Sequence, residues 1–339
     1  MKKTIIIIVA VLVLAIAGWF LGTKFLNLGS QDDFLWGITL RSSPHRKYHS
    51  STWIQQIKYV KELGVGWVRL GVGDEKNLKD HDQMINLANA QGLQIYLNFG
   101  EAHKVPSMTD PYQEGYKQAK EIATRYKGKV KYYQLLSESA STALKGGQYP
   151  GTSEDQYDST KYEKIKEWLK GASKGIRESD SKAKIIITDQ WTHFAFFEMI
   201  KRDKVDYDIL GWDWFSDMGL LEDKKLDDGT LVFDHLKKIG KPIMLVEVNA
   251  RPDEKLGQNE VKQVEYIEKM ADFAWKNRKT IKGFFVLELA DLAPSQSSQK
   301  KPEYYGLIKF KVGPDGGYTF GEKRKAFDAY KNIIEKYSK

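Results

Sequence analysis

The chain has no cysteine among its 339 residues. Disulfides, thiolate metal sites and cysteine nucleophiles are therefore excluded. Histidine is scarce, at six. His45 and His49 stand four apart, but no third ligand accompanies them on a helix, so they read as surface residues and no metal is implied. The phosphate-binding G-x-G-x-x-G is missing. Gly37-Ile38-Thr39-Leu40-Arg41 follows the first apolar run, and Gly71-Val72-Gly73 lacks the third glycine, which argues against an open dinucleotide-binding sheet. There is no phosphate loop, zinc helix motif or Ser-His-Asp order. Prolines number nine, and no proline- or serine-rich linker interrupts the chain. Charge of one sign is not concentrated either. The 53 basic and 45 acidic residues leave a net +8, spread through mixed-sign segments that suit solvated helix faces rather than a nucleic-acid stripe. With 41% hydrophobic and 29% charged residues, what remains is a globular composition with a large core.

One long hydrophobic run is present, at the start. Lys2 and Lys3 precede an uncharged apolar stretch from Ile5 to Leu21, about the length that spans a bilayer as a helix. The two lysines predict an N-in orientation with the remainder exported. Ala15-Ile16-Ala17 leaves a cleaved signal peptide open, but Gly18-Trp19-Phe20-Leu21 continues the apolar run and favours an uncleaved anchor. No cysteine follows, so a lipoprotein anchor is excluded. Residues 1–33 thus read as a membrane anchor or signal segment plus tether, and 34–339 as one domain, at the cell membrane or secreted.

That domain alternates apolar runs with amphipathic stretches. Strand signals lie at 34–39, 66–70, 93–99, 130–136, 183–188, 207–212, 242–246 and 283–287. Helical periodicity marks 52–63, 77–90, 112–126, 160–176, 194–201, 231–239, 260–277 and 324–337. Apolar strands separated by helices imply parallel pairing through crossovers. Eight such units predict a (β/α)8 TIM barrel.

In such a barrel, chemistry sits at the C-terminal ends of the strands. Those ends carry Arg69, Asn98, Ser137-Glu138, Asp189-Gln190-Trp191, Asp213-Trp214, Glu247 and Glu288. Glu138 and Glu247 each follow an apolar run directly, on the fourth and seventh strands, so their carboxyls can face each other across the mouth. Two opposed carboxyls are what glycosidic cleavage needs, one protonated to serve the leaving oxygen and one ionised to attack the anomeric carbon. A negative neighbour favours the first state and a cation such as Arg69 the second. Trp36, Trp191, Trp212 and Trp214 are candidate sugar platforms. Trp212 reads as packing, while Trp191 and Trp214 stand at loop onsets.

Tyr133-Gln134-Leu135-Leu136-Ser137-Glu138, Pro242-Ile243-Met244-Leu245-Val246-Glu247, Val68-Arg69-Leu70 and Glu288-Leu289-Ala290-Asp291 with Glu303-Tyr304-Tyr305-Gly306-Leu307-Ile308 together resemble the strand motifs of clan A glycoside hydrolases. The resemblance runs from about Trp36 to Ile308. It implies a retaining β-glycosidase acting on an extracellular poly- or oligosaccharide by double displacement, without metal or organic cofactor and as a monomer. Glu138 would be the acid/base and Glu247 the nucleophile supported by Arg69. Asn98, Ser137, Trp191, Asp213, Trp214 and Glu288 would line the sugar subsite. The clan's usual asparagine before the acid/base is Ser137 here. Its sixth-strand tyrosine is replaced by Trp214 and Phe215, and its eighth-strand tryptophan by Val286 or Leu287. Those departures motivate an alternative, a non-catalytic glycan-binding surface protein on the same barrel.

Overall fold

The computed structural model describes residues 34–40, 50–72, 78–253, 255–293, 303–314 and 317–338. The N-terminal anchor or signal reading and the His45/His49 pair lie outside these residues. Among the described residues, no helix is long and apolar enough to cross a membrane. Leu35–Lys339 makes one compact unit.

Eight strands close a parallel barrel in sequence order. They are β1 Leu35–Leu40, β2 Trp67–Gly71, β3 Gln94–Phe99, β4 Tyr132–Leu135, β5 Lys184–Gln190, β6 Ile209–Phe215, β7 Ile243–Asn249 and β8 Ile281–Val286. The crossover helices are α1 Ser50–Leu63, α2 Leu78–Ala90, α3 Pro111–Arg125, the short α4 Ser139–Ala143, α5 Ser159–Ser179, α6 Phe194–Arg202, α7 Val232–Lys238, α8 Glu260–Lys276 and the closing α9 Lys325–Tyr337. Their starts are written in the sequence. Asp110, Asp158 and Asn259 cap α3, α5 and α8 by accepting from the backbone N–H three residues on, each cap being worth about 1 kcal/mol.

The barrel interior holds Tyr96, Ile186, Met244, Val246 and Phe285. Each fully buried apolar side chain contributes about 1.5–3 kcal/mol. Glycine makes room for these large groups. A Cβ on Gly37 would stand 2.2 Å from the Phe285 ring. The outer face is as specific. Along α5, a Cβ on Gly171 would meet the Tyr112 carbonyl of α3 at 2.0 Å, and one on Gly175 the Tyr116 carbonyl at 2.6 Å, so these two helices touch backbone to backbone. Trp36 points outward from β1 against Trp275 of α8 and Tyr337 of α9, which also stack on each other, and Trp212 lies buried against Phe197. Neither reaches the barrel mouth.

Two features were not anticipated. An antiparallel hairpin, β9 Ile308–Val312 and β10 Tyr318–Lys323, stands between β8 and α9. Within β7 the register slips. Trp212 pairs with Leu245, but the next β6 residue, Asp213, pairs with Glu247. The slip recurs against β8, where Leu245 pairs with Phe284 and Val248 with Val286. Val246 is thus an extra residue, a bulge. Met244 and Val246 face the interior, so simple alternation would turn Glu247 outward under the helices. The bulge brings it inside.

Candidate active site

The floor of the mouth is a hydrogen-bonded cluster built on adjacent strands. Gln134 of β4 is buried in the centre. Its Oε1 accepts from Tyr96 Oη at 2.7 Å and from Arg69 Nε at 3.0 Å. Its Nε2 donates to Thr188 Oγ1 at 2.8 Å, to the Leu136 carbonyl at 2.9 Å and to Ser137 Oγ at 3.0 Å. Gln134 therefore locks the orientation of Arg69, which is only 4% exposed. The guanidinium places Nη1 2.7 Å from Glu247 Oε1. A buried ion pair with such additional bonds is oriented as well as attracted. Asn98 Nδ2 donates to Ser137 Oγ at 3.1 Å, tying the end of β3 to the residue before Glu138.

Glu138 follows β4 and precedes α4, in the left-handed region with φ 50° and ψ 50°. Among the described residues, four non-glycines have positive φ, and three of them, Leu136, Glu138 and Trp191, stand just past β4 and β5. That conformation is costly for a side-chain-bearing residue and gathers at functional sites. Burial first, then the charges of Glu247 and Asp189, push the Glu138 carboxyl up to about 7, with His193 and Arg251 pulling the other way. Each of those groups is thus close enough to be felt at Glu138. Asp189 is itself fully buried. It accepts from the Gln190 N–H at 2.9 Å and the Ala140 N–H, and its Oδ1 lies 2.6 Å from His193 Nδ1. His193 is a buried, partnered histidine.

Asp213 points inward from β6, opposite Glu247 in the register and 1% exposed. Burial and then Glu247 hold its carboxyl well above the usual carboxylate range, and Arg69 only partly offsets them. Glu288, just past β8, is also buried, and its backbone carbonyl accepts from the Leu307 N–H at 3.0 Å. Asp291 serves a structural pair with Arg324, whose two terminal nitrogens donate to its two oxygens at 2.7 and 2.8 Å.

The rim differs from the sequence expectation in one respect. Gly211 faces the interior, where a Cβ would meet Thr188 and Val246. Counting from it puts Asp213 and Phe215 inside and Trp214 outside. Trp214 is fully buried and donates Nε1–H to the Gly219 carbonyl at 3.0 Å, so it offers no face to a sugar. Trp191 is half-buried and stacks on Trp214 at 6.1 Å, with Lys224 Nζ 4.2 Å from its ring centroid. Trp191 is the better placed of the two. Across the rim, the Arg251 guanidinium lies 4.1 Å from the Phe215 ring centroid. It donates to Tyr305 Oη at 2.6 Å and Asp217 Oδ1 at 3.2 Å.

Known structures share this arrangement of elements. The family 1 β-glucosidase from Thermotoga maritima aligns with a TM-score of 0.65 at 13% identity, over 89% of this chain and 97% of that one. The same enzyme bound to galacto-hydroximolactam gives 0.65 at 13%, over 91% and 98%, and bound to cyclophellitol 0.64 at 14%, over 91% and 98%. This chain shares the (β/α)8 barrel fold of that enzyme. No family model matches the sequence, and no curated protein does, so the kinship is one of architecture.

At the mouth of the barrel, sequence reading passed over Gln134, Tyr96, Asp189, Phe215, Arg251 and Tyr305 as site residues. The first two had a signal. Gln134 is the polar residue inside an apolar strand, and Tyr96 shares the inner face of β3 with Asn98. Arg251 and Tyr305 come from different loops, and nothing local links them.

Proposed function

We propose that this protein is a retaining β-glycosidase, with Glu138 as acid/base and Glu247 as nucleophile. The observation that carries the reading is the contrast between two carboxyls in one mouth. Glu247 is held by a buried arginine at 2.7 Å, while Glu138 is raised to about 7 by burial and by Glu247 itself. An ionised group beside a protonated one is the division of labour that double displacement requires. In the first step the Glu247 oxygen bonds to the anomeric carbon as the glycosidic C–O bond breaks, and Glu138 gives its proton to the leaving oxygen. In the second, Glu138 takes a proton from water. The water oxygen bonds to the anomeric carbon, and the Glu247 ester bond breaks.

The fold neighbours support a β-linked substrate, being β-glucosidases by description. Asn98, Ser137, Trp191 and Glu288 are assigned to the sugar subsite on their position around the two carboxyls. Lys2, Lys3 and the apolar run that follows support an N-in anchor and action on an extracellular poly- or oligosaccharide.

The test is Glu247→Gly on a panel of aryl β-glycosides. Turnover is expected to vanish and to return with azide as a glycosyl azide of inverted anomeric configuration. Undiminished turnover in the variant would remove Glu247 from the role. Oligosaccharide binding by the wild type with no product after long incubation would favour the glycan-binding alternative.

A further inference from the structure

The least explained group in the barrel is Asp213. Its carboxyl is 1% exposed, and neither oxygen accepts a hydrogen bond from a neighbouring donor. Buried polar atoms are rarely left so, and each exception calls for a reason. A carboxylate accepts hydrogen bonds and donates none. An ionised Asp213 would therefore be a desolvated charge that no donor reaches, the costliest arrangement available to it. A neutral carboxylic acid needs something different, an acceptor for its O–H. The residue opposite it across the β6–β7 pair is Glu247.

We infer that Asp213 is a positioning residue, kept as the neutral acid, whose O–H donates to the Glu247 carboxylate and shares with Arg69 the task of orienting it. The inference rests on the reading of Glu247 as nucleophile. The groups that bear on Asp213 are Glu247 of β7, Arg69 of β2, Glu138 past β4 and Asp189 of β5. Tyr96 of β3 lies close enough that an ionised Asp213 would bear on it in turn. Burial favours the protonated form first, and the neighbouring charge of Glu247 adds to it against Arg69. The assignment differs from that of a group lining the sugar subsite, because Asp213 would act on the substrate only through Glu247. Its proton stays with Asp213 through both displacement steps, so the reaction's proton balance is unchanged.

The test separates protonation from turnover. The infrared difference spectrum of wild type minus Asp213→Asn at neutral pH is expected to show the C=O stretch of a protonated carboxylic acid, and its absence would overturn the proposal. This readout needs no activity, whereas failure of azide rescue in Glu247→Gly would strike the nucleophile reading itself. In kinetics, Asp213→Leu is expected to lose on the order of a hundredfold in kcat, the worth of a hydrogen bond to a charged group. Asp213→Asn, which still donates, is expected to recover most of that loss. With a dinitrophenyl glycoside, whose departure needs no proton from Glu138, the alkaline limb of kcat reports Asp213 ionising and should be absent in the Asn variant. An Asn variant as impaired as Leu would mean that an ionised Asp213 is needed and would refute the inference. If the Leu variant does not fold, the infrared band and the Asn profile decide alone.

Discussion

Replacing Glu247 by glutamine removes a charge while keeping shape, and Glu138 should register the loss. The Glu138 carboxyl is raised from 4.5 to about 7. At about 1.36 kcal/mol per pKa unit this represents roughly 3.4 kcal/mol of preference for the protonated form. Burial supplies the largest part and the charge of Glu247 the next. Removing that charge should therefore bring Glu138 down from about 7, toward its ordinary value. The same change accompanies catalysis, because Glu247 is neutral as an ester in the glycosyl-enzyme, and a lowered Glu138 is then better suited to accept a proton from water. The assay is carbon-13 NMR of glutamate carboxyls across pH, with the Glu138 signal identified by its disappearance in Glu138→Gln. In wild type the alkaline limb of kcat/KM should fall near the same midpoint. A Glu138 midpoint unmoved or raised in Glu247→Gln would show that the two carboxyls do not share a field, and the double-displacement geometry would fail with it.

Other outcomes follow from the same structure. Because the folded state holds a Glu138 proton that the unfolded chain releases, this group's stabilisation is complete below pH 4.5 and is lost as pH rises through about 7. Urea unfolding should show that fall in stability, at most about 3.4 kcal/mol in total, and Glu138→Gln should flatten it. Arg69→Met leaves Glu247 without its buried cation and should cost about 3–5 kcal/mol of unfolding free energy; a loss below about 1 kcal/mol would mean that the pair behaves as a solvated one. Gly171→Ala drives a methyl to 2.0 Å from the Tyr112 carbonyl and should destabilise by about 1–3 kcal/mol or more in thermal melts. Gly66→Ala, with nothing within 4 Å of the added atom, should stay within about 0.5 kcal/mol. Arg324→Met leaves buried Asp291 without its cation and should cost about as much as Arg69→Met, without moving the pH dependence of Glu138.

The barrel was readable because its signals are redundant. Runs such as Ile185-Ile186-Ile187 fall between amphipathic stretches, and every strand of the closed sheet has a sequence counterpart. The hairpin at β9 and β10 had a signal too, in Gly313-Pro314-Asp315-Gly316-Gly317 between alternating apolar residues, but it was masked by the expectation of a helix after the eighth strand. At the site, Arg69, Glu138 and Glu247 were legible as polar residues ending apolar runs. The misplacement of Trp214 came from treating the end of β6 as a loop. The strand continues to Phe215, and strict alternation from Gly211 puts the indole outside. What no local pattern discloses is a contact between distant loops, such as Arg251 with Tyr305, or the partnership of Gln134 with Tyr96 and Arg69.

The extra residue in β7 makes its two halves obey opposite parity. Below Val246 the even-numbered side chains look into the barrel, and above it Glu247 and Asn249 pair with the inward Asp213 and Phe215. Deleting Val246 would put Glu247 two places after Met244, so the carboxylate would still face inward from an unbroken ladder. Smoothing the bulge without shortening the chain would instead turn it toward the helical shell, and chemistry would disappear from a barrel that keeps every functional side chain.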